Sequence, residues 1–157
     1  MYNFNPAKKR MEPTEKKCQF CEMENSAHME DNYFIPLYKE NDRTNIIVYR
    51  SVKYSKIPIG IPRCPSCMAI HENAARKSAL ISGSIALGII ILSFLLWGPF
   101  GFFSIFAGII IGFAGRYFIE KKMVRDKGIY TKLEGAKQNE AVQDLIIGGW
   151  SFNMPSA

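Results

Sequence analysis

The chain has 157 residues, a net charge of +6 and a mean hydropathy of −0.04, values that suit a single soluble domain. The distribution of charged residues along the chain excludes a single soluble domain, because the 37 residues at 79–115 contain no Asp, Glu, Lys, Arg or His. A soluble helix of that length would expose at least one apolar face to water. We therefore predict an α+β membrane protein with polar segments on both sides of an apolar block.

Residues 1–17 are predicted to form a flexible basic N-terminal segment. No apolar stretch of a signal peptide precedes residue 79, so we expect residues 1–78 to stay on the side of the membrane where they are made. That side is a reducing compartment. Cysteines there favour metal binding or thiol chemistry over disulfides.

All four cysteines of the chain lie in two Cys-x-x-Cys pairs, Cys18 with Cys21 and Cys64 with Cys67, and 42 residues separate the pairs. A tetrahedral zinc site takes four soft ligands, which two such pairs supply. We therefore predict one structural Zn²⁺ held by these four residues. A redox dithiol is the alternative, since the second pair is predicted to open a helix. The redox alternative is disfavoured because no βαβ pattern surrounds Cys64 and Cys67, and because Cys18 and Cys21 would have no role in redox chemistry there.

Between the pairs, aromatic and β-branched residues predict strands at 33–38 and 44–59, with a turn at 39–43. A cysteine knuckle, a hairpin and a second cysteine pair at a helix start resemble a treble-clef or zinc-ribbon finger. The resemblance covers residues 18 to about 71, within a predicted domain at 18–77. It implies a zinc-bound finger on a small membrane-anchored protein. The 42-residue gap exceeds that of a minimal finger and implies an elaborated hairpin.

His71 lies four residues after Cys67, so the two share one side of a helix. It is a candidate to replace a cysteine as ligand or to hydrogen-bond a cysteine sulfur. The other interpretation is a histidine packed on the hairpin, and the sequence leaves both open.

The apolar block is too long for one membrane span and just long enough for two short ones. Gly98, Pro99 and Gly101 mark a reversal in its middle, which predicts helices at 78–97 and 100–118. We therefore predict a transmembrane helical hairpin at 78–118. No Pro or Gly occurs between Pro65 and Gly83, so the first helix is predicted to begin at the second cysteine pair and continue into the bilayer as a rigid joint.

Basic residues flank both outer ends of this block and are absent from the predicted turn. They are Arg76, Lys77, Arg116, Lys121, Lys122 and Arg125. The positive-inside rule then predicts that both termini are cytoplasmic, in a plasma or inner membrane. A re-entrant or buried soluble hairpin is the alternative. Membrane lipid also accounts for much of the net positive charge, so a nucleic-acid partner is not expected.

Small residues recur at helical spacing in both predicted spans, with Gly83 and Gly88 in the first and Gly108 and Gly112 in the second. Small residues let helix backbones approach closely in lipid. They are candidates for transmembrane packing, either within one hairpin or between copies in a homo-oligomer. Two small faces exceed the need of one contact, which favours the oligomer.

Residues 119–157 are predicted to form a cytoplasmic juxtamembrane helix and tail. The helix should end at Gly128, and a short amphipathic helix is predicted at 137–147. Trp150 and Phe152 are expected to pack on the finger or the juxtamembrane helix, or to dock a partner.

No phosphate-binding glycine loop, His-Glu-x-x-His motif or serine elbow is present, and four cysteines close a zinc shell, so we do not expect an enzyme. Two functions remain. The favoured one is a membrane-anchored module that binds a protein partner. The alternative is an oligomerising effector that permeabilises or remodels the bilayer.

Overall fold

The computed structural model describes residues 1–46 and 49–156. The chain divides into two compact units. The first consists of Met1–Cys67 together with the residues from Lys132 onward, and the second is Met68–Thr131. The architecture is α+β, with a sheet in the N-terminal region and a long helical region after it.

The first unit contains a four-stranded sheet of order β1-β2-β4-β3. Its strands are β1 (Tyr2–Asn5), β2 (Arg10–Pro13), β3 (Tyr33–Ile46) and β4 (Tyr49–Ile61). The outer pairs are antiparallel, whereas β2 meets β4 in parallel where Met11 pairs with Ile59. The N-terminal strands are thereby joined to the hairpin that follows the first cysteine pair.

Strands β1 and β2 lie inside residues 1–17, where the sequence predicted only a flexible segment. The Asn5 side chain turns the chain between them, because its Oδ1 accepts hydrogen bonds from the N–H groups of Ala7 (3.1 Å) and Lys8 (3.2 Å). Arg10 then stacks on the Phe34 ring at 4.0 Å from its centroid. Strands of four residues are too short to show an alternating pattern, and the side chain of Arg10 packs on the sheet.

The turn predicted at residues 39–43 is wrong, since these residues belong to β3. The register of the β3–β4 pairing shifts between Glu40 and Asp42, which leaves Asn41 as a bulge. Its Nδ2 donates to Ser55 Oγ at 2.8 Å. Polar residues that are typical of turns are tolerated in this exposed part of the β3–β4 hairpin, because no side chain there needs to be apolar. Ile47 and Val48, part of the predicted strand at 44–59, lie outside the described residues.

The core of the first unit is closed by its C-terminal residues. Helices α3 (Lys132–Gln138) and α4 (Glu140–Ile147) bury Ala136 and Val142, each 0% exposed. Helix α4 confirms the amphipathic helix predicted at 137–147, and Asn139 caps it by accepting from the Val142 N–H at 3.3 Å. Helix α3 was not predicted.

The end of the chain pairs with the sheet at one point. Ser151 and Tyr38 exchange two backbone hydrogen bonds, of 2.7 and 2.8 Å, in an antiparallel bridge. Trp150 and Phe152, on either side of the bridge, are half-buried. The tail therefore meets the outer edge of β3 at Ser151, whereas the predicted packing of Trp150 and Phe152 stays a prediction.

The helical region consists of α1 (Pro65–Trp97), a 3-10 helix (Gly98–Phe103) and α2 (Ser104–Arg125). The prediction that one helix runs unbroken from Pro65 to Trp97 is confirmed. The second helix begins four residues later than predicted, since the segment around Pro99 forms the 3-10 turn. Gly128 ends the region with a φ of +71°, a conformation that glycine adopts without strain.

Among the described residues, one helical stretch is long and apolar enough to cross a membrane. This stretch is Pro65–Arg125, counted through the 3-10 turn. Its apolar segment of 18 residues has a mean hydropathy of 2.5, and 11% of that segment is buried. A core helix of a soluble protein would be mostly buried. The exposure of this segment is consistent with membrane association.

Three glycines lie where the helical region folds back on α1: Gly101 in the 3-10 turn, and Gly108 and Gly115 in α2. A Cβ on Gly101 would lie 2.9 Å from the backbone of Phe94, and one on Gly108 would lie 2.8 Å from Ile90. At Gly115 the nearest atom would be the Ser82 Cβ at 3.3 Å. These three positions need to be small for the helices to approach as they do.

The other predicted packing glycines are not used in this way. A Cβ on Gly83 or Gly88 would meet nothing within 4 Å, and one on Gly112 would meet only the Ala86 Cβ at 3.8 Å. Contacts within the chain therefore use Gly108 and leave Gly83 and Gly88 open.

Candidate metal centre

The four cysteines come together from three places in the first unit. Cys18 and Cys21 lie in the loop between β2 and β3, Cys64 follows β4, and Cys67 lies in the first turn of α1. Their four sulfur atoms all lie within 4.8 Å of one another. Cys18, Cys64 and Cys67 are at most 1% exposed, and Cys21 is half-buried. Residues separated by more than 40 positions thus form one compact cluster of thiol groups.

The spacing of the sulfurs fits a metal ion. A tetrahedral site with metal–sulfur bonds of about 2.3 Å places its sulfur atoms about 3.8 Å apart. The Sγ atoms of Cys21 and Cys64 are 3.8 Å apart. No disulfide joins any two of the four. The donors present therefore match a tetrahedral thiolate site in number and type, and the Cys21–Cys64 pair also matches it in distance.

Backbone hydrogen bonds shape the loop of the first pair. The N–H of Glu22 donates to the Cys18 carbonyl at 3.0 Å, and the N–H of Cys18 donates to the Glu24 carbonyl at 2.8 Å. Glu22 has a φ of +59°, which lets the loop reverse directly after Cys21. The Gln19 N–H donates to the carbonyl of Pro62 at 2.9 Å. This last bond ties the loop to the chain segment that leads into Cys64.

Backbone N–H groups also point at the sulfur atoms. The N–H of Cys64 donates to Cys18 Sγ at 3.3 Å, and the N–H of Cys67 donates to Cys64 Sγ at 3.4 Å. The second bond resembles a helix cap, because Cys64 directly precedes the first residue of α1. Hydrogen bonds and a helix N-terminus both favour the thiolate form. The local backbone is therefore arranged for negative charge on sulfur.

Burial opposes that charge when no cation is present. It raises the pKa of the Cys64 thiol to about 12, and it also raises the pKa of the Cys67 thiol. Burial acts in the same direction on Cys21, but hydrogen bonds from the backbone of Glu24 and Met23 and from neighbouring cysteines outweigh it and lower its pKa to about 7. A cation among the four sulfurs would supply the missing positive charge.

His71 is not part of the ligand cluster found among the described residues. It is 0% exposed, and its Nε2 lies 3.0 Å from the Tyr130 carbonyl oxygen. Because a carbonyl only accepts, Nε2 carries the proton and donates it there. The predicted interaction of His71 with a cysteine stays a prediction.

The structure adds two residues that sequence reasoning missed. Phe20, between the cysteines of the first pair, is 1% exposed, and its ring packs on Gly135 of α3. A Cβ on Gly135 would lie 2.6 Å from that ring. A single glycine inside a helix-forming segment is the signal that could have indicated this close approach. The C-terminal residues thereby support the cysteine loop.

Comparisons with protein-family models, with curated protein sequences and with solved structures found no match to this chain.

Proposed function

We propose that this chain is an integral membrane zinc-binding protein whose polar unit binds a protein partner at the membrane surface. The observation that carries the proposal is the position of Cys67. It lies in the first turn of α1, and the same helix continues to Trp97 through the apolar stretch. A metal centre and a membrane anchor thus share one helix.

Zinc is the proposed metal because four thiolates in tetrahedral spacing form the ligand set that Zn²⁺ favours. The order of knuckle, β3–β4 hairpin and helix start supports a treble-clef-like finger around it. Four protein ligands leave no open position for water or substrate, so the proposed role of zinc is structural and the proposed function is not enzymatic.

The proposed anchor is a transmembrane hairpin of α1 and α2 with both termini cytoplasmic. The close contacts at Gly101, Gly108 and Gly115 support pairing of the two helices. The basic residues at the outer ends and the uncharged turn at Gly98–Phe103 support the orientation. Reporter fusions after Lys77 and after the last residue should then both report cytoplasm. Opposite answers would mean a single span.

The proposed partner surface is the outer part of the β3–β4 ribbon. Buried core residues of the two strands, such as Leu37 and Ile59, lie at the end near the cysteines. Residues 39–43 and 53–56 are exposed, although the strands remain paired there. The ribbon therefore extends beyond what the core requires. A paired, polar and exposed ribbon of this kind suits the recognition of another protein.

Site-specific photo-crosslinking tests this function. A photoreactive residue at Asn41 or Lys53, in cells of the source organism, should give one discrete crosslinked protein. The same residue at Met154, which is 57% exposed in the tail, is the control. Cys64→Ser should abolish the product, because it removes a metal ligand. Equal labelling from ribbon and tail, or labelling that survives Cys64→Ser, would refute the proposed surface.

The alternative function is an oligomerising membrane effector, which the open faces at Gly83 and Gly88 favour. It requires that the purified protein release a dye from lipid vesicles and crosslink as more than one copy. Dye retention together with a monomer would exclude it.

A further inference from the structure

A groove of about 400 Å³ runs along one side of the contact between α1 and α2. Its lining combines small residues from both helices with aliphatic and aromatic ones. The residues that matter here are Ser82, Gly83, Ala86, Gly108, Gly112 and Arg116. Gly83 opens onto free space, since a Cβ there would meet nothing within 4 Å. The groove therefore has room for an apolar chain.

Arg116 is the charged residue among those that line the groove. The helix contacts fix where it lies. Ser82 meets Gly115 while Ile90 meets Gly108, so Arg116 is at the end of the groove nearest the start of the apolar block. That end carries the basic flanks of the sequence. The groove is thus apolar along its length and carries a positive charge at one end.

We propose that this groove binds one anionic phospholipid, with an acyl chain along the groove and the headgroup phosphate at Arg116. Basic pockets between helices at the cytoplasmic side of a membrane are a recognised arrangement for anionic headgroups. Arginine suits this role because its guanidinium pairs with phosphate in a bidentate fashion. The inference rests on the proposed membrane insertion.

A second copy of the chain is the competing occupant. Two copies in one membrane share the same orientation, so a symmetric contact through this groove would place both Arg116 side chains at the same depth and close together. Like charges brought close together repel each other. A lipid phosphate instead neutralises Arg116. Gly88 is outside the groove and stays available for the predicted self-association.

Native mass spectrometry of the full chain in mild detergent tests the proposal, with phosphatidylglycerol or phosphatidylcholine added at equal concentration. The spectrum reports bound lipid and copy number together. We expect one phosphatidylglycerol per chain, retained about fivefold more than phosphatidylcholine. Gly83→Leu should fill the groove and remove this adduct. Gly88→Leu is the matched control, since both glycines are exposed on α1 with open space around them.

The charge is tested in the same way. Arg116→Gln should abolish the preference for phosphatidylglycerol, whereas Lys122→Gln, which removes an equal charge outside the groove, should keep it. Equal retention of the two lipids by the unmodified chain would overturn the proposal, as would equal effects of Gly83→Leu and Gly88→Leu. A dimer that Gly83→Leu dissociates would assign the groove to a second copy. Extraction of the unmodified chain from membranes by carbonate would refute membrane insertion itself, and the lipid site with it.

Discussion

The substitution Gly135→Ala should weaken the metal centre, although alanine is the better helix former. In a helix interior this change ordinarily stabilises by about 0.5–1 kcal/mol. Here the added Cβ would lie 2.6 and 2.7 Å from two atoms of the Phe20 ring. That ring is 1% exposed and also packs edge-to-face on Tyr33. It has little room to withdraw.

Overpacking of a filled core typically costs about 1–3 kcal/mol, and an overlap of this size against a buried ring belongs near the upper end. After subtraction of the helix-propensity gain, a net loss of about 1–2 kcal/mol remains. Phe20 lies between Cys18 and Cys21, so a displaced ring moves the loop that carries two ligands. If the loss falls wholly on the metal-bound state, zinc affinity drops by about fivefold to thirtyfold.

Competition with a chromophoric chelator, on the full chain in detergent, measures this affinity directly. Phe20→Leu supplies a smaller side chain at the point of overlap. The double variant should therefore lose less affinity than the two single losses added together. Unchanged or tighter zinc binding by Gly135→Ala would refute the reasoning, because Phe20 would then not be held between α3 and the cysteine loop.

Three further predictions concern the cysteines and the helix contact. Cys64→Ser should leave the purified protein with no bound zinc, as measured by elemental analysis. It should also unfold the first unit, which rapid proteolysis of the residues before α1 would detect. Zinc-free protein with an intact first unit would contradict this prediction. Zinc binding at pH 7 should release at least two protons, because burial raises the pKa of both Cys64 and Cys67; Cys21, whose pKa is about 7, adds about half a proton. Affinity should fall as the pH is lowered, and calorimetry in buffers of different ionisation enthalpy counts the protons; no release would refute the assignment. Gly101→Leu should lower the thermal stability of the helical region in detergent, since its Cβ meets backbone, whereas Gly88→Leu should not.

The cysteine cluster and the start of α1 could be predicted because their signals are local. Two short spacings identify the pairs, and the absence of Pro and Gly after Pro65 predicts one continuous helix. How closely Cys21 approaches Cys64 depends on the long β3–β4 hairpin that separates them. The four ligands of one metal ion must lie close together. The prediction of a metal site therefore also predicted that the two cysteine pairs meet, which the hydrophobic periodicity of the sequence does not indicate.

Contacts between distant segments were not predictable in this way. Strand β2 joins the sheet through a single pair, Met11 with Ile59, and no pattern in residues 1–17 indicates it. The turn predicted at residues 39–43 failed for a related reason. Its polar residues signal exposure, and exposure is shared by turns and by the outer part of a two-stranded ribbon. Composition reports the environment of such residues and not their backbone conformation.

The glycines of the helical region show what structure adds to a correct pattern. Sequence spacing marked Gly83, Gly88, Gly108 and Gly112 as equivalent packing positions, because each is small and lies in an apolar helix. The contacts separate them. Gly108 meets Ile90 within the chain, whereas a Cβ on Gly83 or Gly88 would meet no neighbour. A glycine that contacts nothing within the chain either has no packing role or contacts another molecule, such as a lipid or a second copy. Leucine at Gly83 and leucine at Gly88 distinguish these two cases separately for each position.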